Sequence, residues 1–168
     1  HIEGGAVQSV KPSTAYFGFS YWALMIPPFK PKRVLQLGCG GHTIPKLISK
    51  VWGYTNLTCN EDKDAFEFAK EQTRAGQKFD YIIVDVYEGG QPHQRMHATD
   101  FIEDLANLSP GLVAINAQDF NTMTPNNPDP LNYQQHFNMV LEKFLNHNKI
   151  TFLSRKGFER QYFAILPQ

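Results

Sequence analysis

Short apolar runs and amphipathic stretches take turns along the chain. Val34-Leu35-Gln36-Leu37 halts at glycines, the pattern of a strand buried on both faces. Thr43 is placed to cap the helix that follows, with Pro45 in its first turn, where a missing N–H costs little. Leu47, Ile48 and Val51 supply that helix with an apolar face. Thr55 to Cys59 reads as a second strand, and Asp64 to Arg74 as a helix striped by Ala65, Phe66, Ala69 and Lys70. Tyr81-Ile82-Ile83-Val84, β-branched and aromatic, predicts the strongest strand, ending at Asp85.

Phe101, Leu105 and Leu108 stripe another helix, stopped by Pro110-Gly111, and Leu112 to Ile115 is the next strand, ending at Asn116. Tyr133 to Asn146 predicts a long helix, preceded by an Asn- and Pro-rich loop from Thr122 to Pro130. Ile150 to Leu153 and Tyr162 to Leu166 flank Arg155-Lys156-Gly157-Phe158 and read as an antiparallel hairpin. The alternation implies a Rossmann-like α/β fold, a doubly wound, mostly parallel sheet with a C-terminal antiparallel hairpin. One domain over residues 11–168 is expected. His1-Ile2-Glu3-Gly4 resembles an expression-tag remnant, and residues 1–10 are read as a disordered start.

Composition narrows the partners. Lys+Arg and Asp+Glu both number 16, without the basic excess of a nucleic-acid binder, so no nucleic acid is expected. The greasy stretch Tyr16 to Phe29 is interrupted by Ser20 and Pro27-Pro28 and falls short of a membrane span, and no signal peptide is read ahead of it. No membrane association is expected. Cys39 and Cys59 form no spaced framework, so a reduced, cytoplasmic setting is the simplest expectation.

In an open α/β sheet, ligands bind beyond the carboxyl ends of the strands. That rule gathers Gly38-Cys39-Gly40-Gly41, Asn60 and Glu61, Asp85 to Glu88, and Asn116 to Asp119. A dinucleotide fingerprint wants a third glycine where Thr43 stands, which weakens pyrophosphate binding and favours a sulfonium nucleoside. A carboxylate usually takes the ribose hydroxyls, yet Asn60 occupies that position. Either Asn60 makes one bond, or Glu61 serves after a one-residue shift, or Glu61 and Asp62 are only first-turn residues favoured by the helix dipole. Asp85 and Glu88, three apart on one loop, suit a cationic amine, one holding charge and the other taking a proton. Capping and solvation are the plainer alternative for both. His93 and His97 read as solvated, no metal is expected, and no Gly-x-Ser-x-Gly elbow supports a serine hydrolase. Tyr16, Tyr21 and Trp22 form an aromatic cluster that packs on the core or lips the ligand.

VLQLGCGGHTIPKLI resembles the first glycine motif of the S-adenosylmethionine-dependent methyltransferase superfamily. FDYIIVDVYEGGQPHQRMHATDFIEDLANLSPGLVAIN is similar to the matching stretch of the spermidine synthase (aminopropyltransferase) family. The resemblance covers most of the chain from Tyr16 onward. It implies a catalytic Asp85, assisted by Glu88 where the family carries Asp, and cofactor contacts from Gly38, Cys39, Gly40, Gly41, Asn60, Glu61 and Asp85. Tyr21, Glu88, Asn116 and Asp119 are the expected substrate contacts. Asn60 stands where the family has an acid. Where the family carries an N-terminal β-domain, and a strand with a Gly-Asp adenine motif before Phe79, residues 1–168 show no match, these segments being either dispensed with or outside this stretch.

The implied activity is aminopropyl transfer from decarboxylated S-adenosylmethionine to a small-molecule amine, in polyamine biosynthesis, with a homodimer left open. Methyl transfer from S-adenosylmethionine to a small molecule is the first alternative. A non-catalytic nucleoside-binding or scaffold protein of the same fold is the second.

Overall fold

The computed structural model describes residues 2–3, 6–7, 22, 25–88, 91–109, 111–116 and 162–165. Two-residue strands β1 (Ile2–Glu3) and β2 (Ala6–Val7) pair antiparallel. The main elements follow as β3 (Arg33–Leu37), α1 (Thr43–Trp52), β4 (Asn56–Cys59), α2 (Ala65–Arg74) and β5 (Tyr81–Val84). A small hairpin, β6 (Tyr87–Glu88) and β7 (Gln91–Pro92), leads through a 3-10 turn at Gln94–His97 into α3 (Thr99–Leu108). Strand β8 (Leu112–Ile115) and strand β9 (Tyr162–Ile165) complete the sheet.

The sheet runs β4-β3-β5-β8-β9, with the first four strands parallel and β9 antiparallel to β8. This is a doubly wound, Rossmann-like architecture. From β3 the chain moves outward to β4, then crosses back to β5 on the other side of β3. The order therefore reverses between β3 and β5, where such sheets form their ligand crevice.

Alternation along the strands divides the core. Leu35, Leu37, Ile82, Val84, Val113 and Ile115 pack against Phe66, Ala69, Phe101, Ile102 and Leu105 of α2 and α3. On the opposite face Val34, Tyr81, Ile83 and Ala114 meet Ile44, Leu47 and Ile48 of α1, with Trp22 and Met25. Burying each large aliphatic or aromatic side chain contributes about 1.5–3 kcal/mol, so both faces hold the strands in place. The loop between α2 and β5 is fixed by Asp80, whose Oδ2 accepts from the backbone N–H groups of Lys32 and Arg33 at 2.7 and 2.8 Å.

Several expectations shift locally. Helix α1 is not capped by Thr43, which is its buried first residue; His42, in the left-handed region at φ 56°, holds the N-cap position without a side-chain bond. Val51 is 43% exposed, so it lies off the apolar face of α1. The second strand starts at Asn56, because Thr55 is buried but outside the ladder. Asp64 caps α2, its Oδ1 accepting from Phe66 and Glu67 N–H at 3.0 and 2.9 Å, so Glu61 and Asp62 are turn residues rather than first-turn ones. In α2, Phe68 takes the buried place expected of Lys70.

The cysteines depart from the reduced setting expected of them. Cys39 and Cys59 form a disulfide with Cα atoms 6.1 Å apart, inside the usual span of about 4.4–6.8 Å. The loop Thr122 to Pro130, the helix Tyr133 to Asn146, the strand Ile150 to Leu153 and Tyr16 lie outside the described residues. Among the described residues no helix is long and apolar enough to cross a membrane.

Candidate functional site

Three backbone crossings assemble the site at the sheet's reversal point. Strand β3 ends on Gly38, at φ +84°, and a Cβ there would stand 2.1 Å from the carbonyl oxygen of Asp85. Glycine is required twice over: for the left-handed turn and for the approach of the β5 backbone. The N–H of Asp85 donates to the Leu37 carbonyl at 2.8 Å, so the glycine turn and the end of β5 form one unit. Gln36, only 2% exposed, donates through Nε2 to the carbonyls of Gly38 and Cys39 at 2.9 and 3.2 Å, fixing the turn from beneath.

Asn60 ties the third crossing to the first two. Its Oδ1 accepts from the Gly38 N–H at 2.8 Å, and its Nδ2 donates to the Lys63 carbonyl at 2.6 Å. At 6% exposure the side chain is a bracket between the glycine turn and the entrance to α2. Both amide groups are thus engaged within the protein. Glu61 beside it is exposed and sits at φ 46°, its N–H donating to Cys39 Sγ at 3.1 Å. The carboxylates exposed at this strand end are those of Glu61 and Asp62.

Beyond β5, Asp85 is half-buried and its Oδ1 accepts from Asn116 Nδ2 at 2.7 Å, which fixes the orientation of the Asn116 amide. Asn116 Oδ1, buried, has no hydrogen-bond partner among the described residues. The Tyr87 hydroxyl donates to the Asn116 carbonyl at 3.1 Å, bracing the two strand ends. Glu88 lies on the β6–β7 hairpin with an exposed side chain, its Oε2 3.5 Å from His93 Nε2.

The sequence predicts a solvated His93; in the structure it is half-buried beside the hairpin. Its N–H donates to the Val86 carbonyl at 3.0 Å, its Nδ1 accepts from the Arg95 N–H at 3.1 Å, and its ring lies 4.8 Å from that of Phe66. Arg95 also packs on Phe66, 4.6 Å from its ring centroid, with its guanidinium reaching Asp64 and Glu67. No local signal in the sequence marks His93, because the contact with Phe66 depends on the hairpin.

These groups line a cavity of about 310 Å³, with Gly38, Asn60, Phe66, Asp85, Tyr87 and His93 among its walls. A neighbouring hollow of about 640 Å³ is lined by Cys39, Gly40, His42, Glu61 and Asp62. Gly38, Gly40, Asn60 and Asp85 are thus brought together; Cys39 and Glu61 face the adjoining hollow. Tyr21 and Asp119 lie outside the described residues, as does the side chain of His97. Gly41 leaves its carbonyl to Lys46 Nζ at 3.0 Å.

The walls suit a nucleoside in part. Exposed turn backbone at Gly40 lets a ligand approach the glycine turn, while the Asn60 amide is engaged within the protein. The start of α1 has no side-chain cap and no acidic residue in its first turn, so its dipole favours an anionic group nearby.

No family model matches the chain, and no curated protein matches it. Among solved structures, the chain is similar to the S-adenosylhomocysteine-bound methyltransferase PaMTH1 of Podospora anserina, at 14% identity and a TM-score of 0.51, covering 88% of this chain and 77% of that one. The plantazolicin methyltransferase BpumL, also in complex with S-adenosylhomocysteine, aligns at 14% identity and a TM-score of 0.46, covering 88% of this chain and 80% of that one. At such identity the likeness is one of fold: the chain has the Rossmann-like fold of class I methyltransferases.

Proposed function

We propose that the chain is an S-adenosylmethionine-dependent transferase that methylates a small molecule. One observation carries the reading: Gly38, Asn60 and Asp85 converge on a single cavity at the point where strand order reverses, in a fold shared with a methyltransferase solved with S-adenosylhomocysteine. The uncapped start of α1 supports the carboxylated cofactor over its decarboxylated form, because only the former brings an anion.

The cofactor would supply an electrophilic carbon on a sulfonium. The chain's own residues would position the acceptor. Asp85, oriented by Asn116, would accept the proton from the acceptor's nucleophilic atom as it attacks. Glu61 would take the ribose hydroxyls, and Phe66 and His93 would keep water from one wall. Most of the rate would come from holding two reactants in line.

Aminopropyl transfer is the second reading, favoured by two carboxylates, Asp85 and Glu88, following β5. The approach of Glu88 to His93 weighs against a distal-amine role for it. Calorimetry with S-adenosylmethionine, its decarboxylated form and S-adenosylhomocysteine separates the readings. Tighter binding of the first and third supports methyl transfer, tighter binding of the decarboxylated form supports aminopropyl transfer, and no binding of any overturns both.

A further inference from the structure

The disulfide joins two parts of the same site. Cys39 is the second residue of the glycine turn, and Cys59 closes β4, so the bond bridges the end of β3 to the end of β4 immediately before Asn60 and Glu61. Both cysteines are half-buried, within reach of small thiols. Cys39 also accepts the N–H of Glu61, a non-glycine residue in the left-handed region, where an ordinary side chain is strained. Cys39 and Glu61 line one hollow with Gly40, His42 and Asp62.

From this geometry we infer that Cys39 and Cys59 form a thiol–disulfide switch that sets the affinity of the nucleoside site. The inference rests on the function proposed above and concerns its regulation. In the oxidised form Cys39 is tethered, Glu61 keeps its sulfur acceptor, and its carboxylate stays at the hollow. In the reduced form Cys39 is no longer tethered to Cys59 and its thiol can donate to Asn60 Oδ1, 3.4 Å away, so Glu61 no longer has a fixed sulfur acceptor, relaxes out of the left-handed region, and its carboxylate leaves its place. Asn60 still holds Gly38, so the turn persists while its outer edge loosens.

The chemistry is thiol–disulfide exchange with a low-molecular-weight disulfide such as oxidised glutathione. Cys39 and Cys59 each give up a hydrogen as the S–S bond forms. The small disulfide takes up the electron pair and both protons and departs as two thiols. An excess of small thiol drives the reverse reaction.

Calorimetric titration of S-adenosylhomocysteine into the oxidised and the dithiothreitol-reduced protein tests the switch, with intact mass reporting the redox state. The reduced form should bind about tenfold more weakly, as expected when a preorganised contact is lost. Cys59→Ser should match the reduced protein under both conditions. Equal affinity of the two forms overturns the switch alone, as does failure of the protein to form the bond with oxidised glutathione. Binding by neither form overturns the proposed function as well.

Discussion

Asn60 accepts the Gly38 N–H at 2.8 Å, so the residue standing where a ribose-binding acid is usual serves the glycine turn instead. Replacing it tests that assignment. Asn60→Ala removes an acceptor from Gly38 and a donor from the Lys63 carbonyl, both in a buried setting. A loss of about 1–3 kcal/mol in unfolding free energy is expected, read by urea denaturation. Asn60→Asp keeps the bond from Gly38 but faces the Lys63 carbonyl with a charge, so it should also destabilise. A fully stable Asn60→Asp protein would contradict the bracket.

Gly38→Ala should be far more damaging. The new methyl would meet the Asp85 carbonyl at 2.1 Å on a backbone at φ +84°. Both β3 and β5 are centre strands, so neither can yield cheaply. A cost of roughly 3 kcal/mol or more is expected, since overpacking and left-handed strain add. Gly76→Ala is the control, because its φ of +65° is also positive but nothing lies within 4 Å. Thermal melting of the pair separates backbone crowding from left-handed strain.

Asp85→Asn tests the chemistry. Its side-chain oxygen still accepts from Asn116 Nδ2, so the strand ends stay braced and nucleoside affinity should hold within a few fold. Turnover should fall by about 100-fold or more, the usual scale for losing a proton acceptor. Single-turnover assays beside calorimetry check both halves, and unchanged turnover would remove Asp85 from its catalytic role.

Tyr81 gives a pH signature. Burial pushes its phenol well above the usual range, and its hydroxyl donates to the Met25 carbonyl. Because the folded value is raised, this contribution is fully present below about pH 10, where the unfolded chain titrates, and declines above it by about 1.4 kcal/mol per pH unit. The Tyr81→Phe protein lacks that decline. Denaturant midpoints of the two proteins across the alkaline range measure the difference.

The central strands were legible because their physics is local. Tyr81–Val84 and Leu112–Ile115 are continuous apolar runs buried on both faces, and such runs announce themselves. The rule that ligands gather at strand ends singles out Asp85, Gly38 and Gly40, and the structure brings these three to one cavity. Other features depended on distance in the fold. Nothing in a spacing of 20 residues says that Cys39 and Cys59 face each other; the parallel register of β3 with β4 does, by setting Cys59 opposite Gln36. The bracket formed by Asn60 needed the position of Gly38, and the half-burial of His93 needed the β6–β7 hairpin. The cap of α1 moved from Thr43 to His42 because the glycine turn leaves the chain in a left-handed conformation just before the helix.

Strand β9 has a consequence for how the molecule forms. It pairs with β8 through Leu112↔Ile165 and Ile115↔Tyr162, partners about fifty positions apart in the chain, and so distant a closure is slow. Until residues 162–165 arrive, β8 presents an apolar strand with one row of amides and carbonyls bare, an adhesive seam for any extended segment nearby. Folding yield should therefore depend on chain concentration more steeply than native stability alone would suggest.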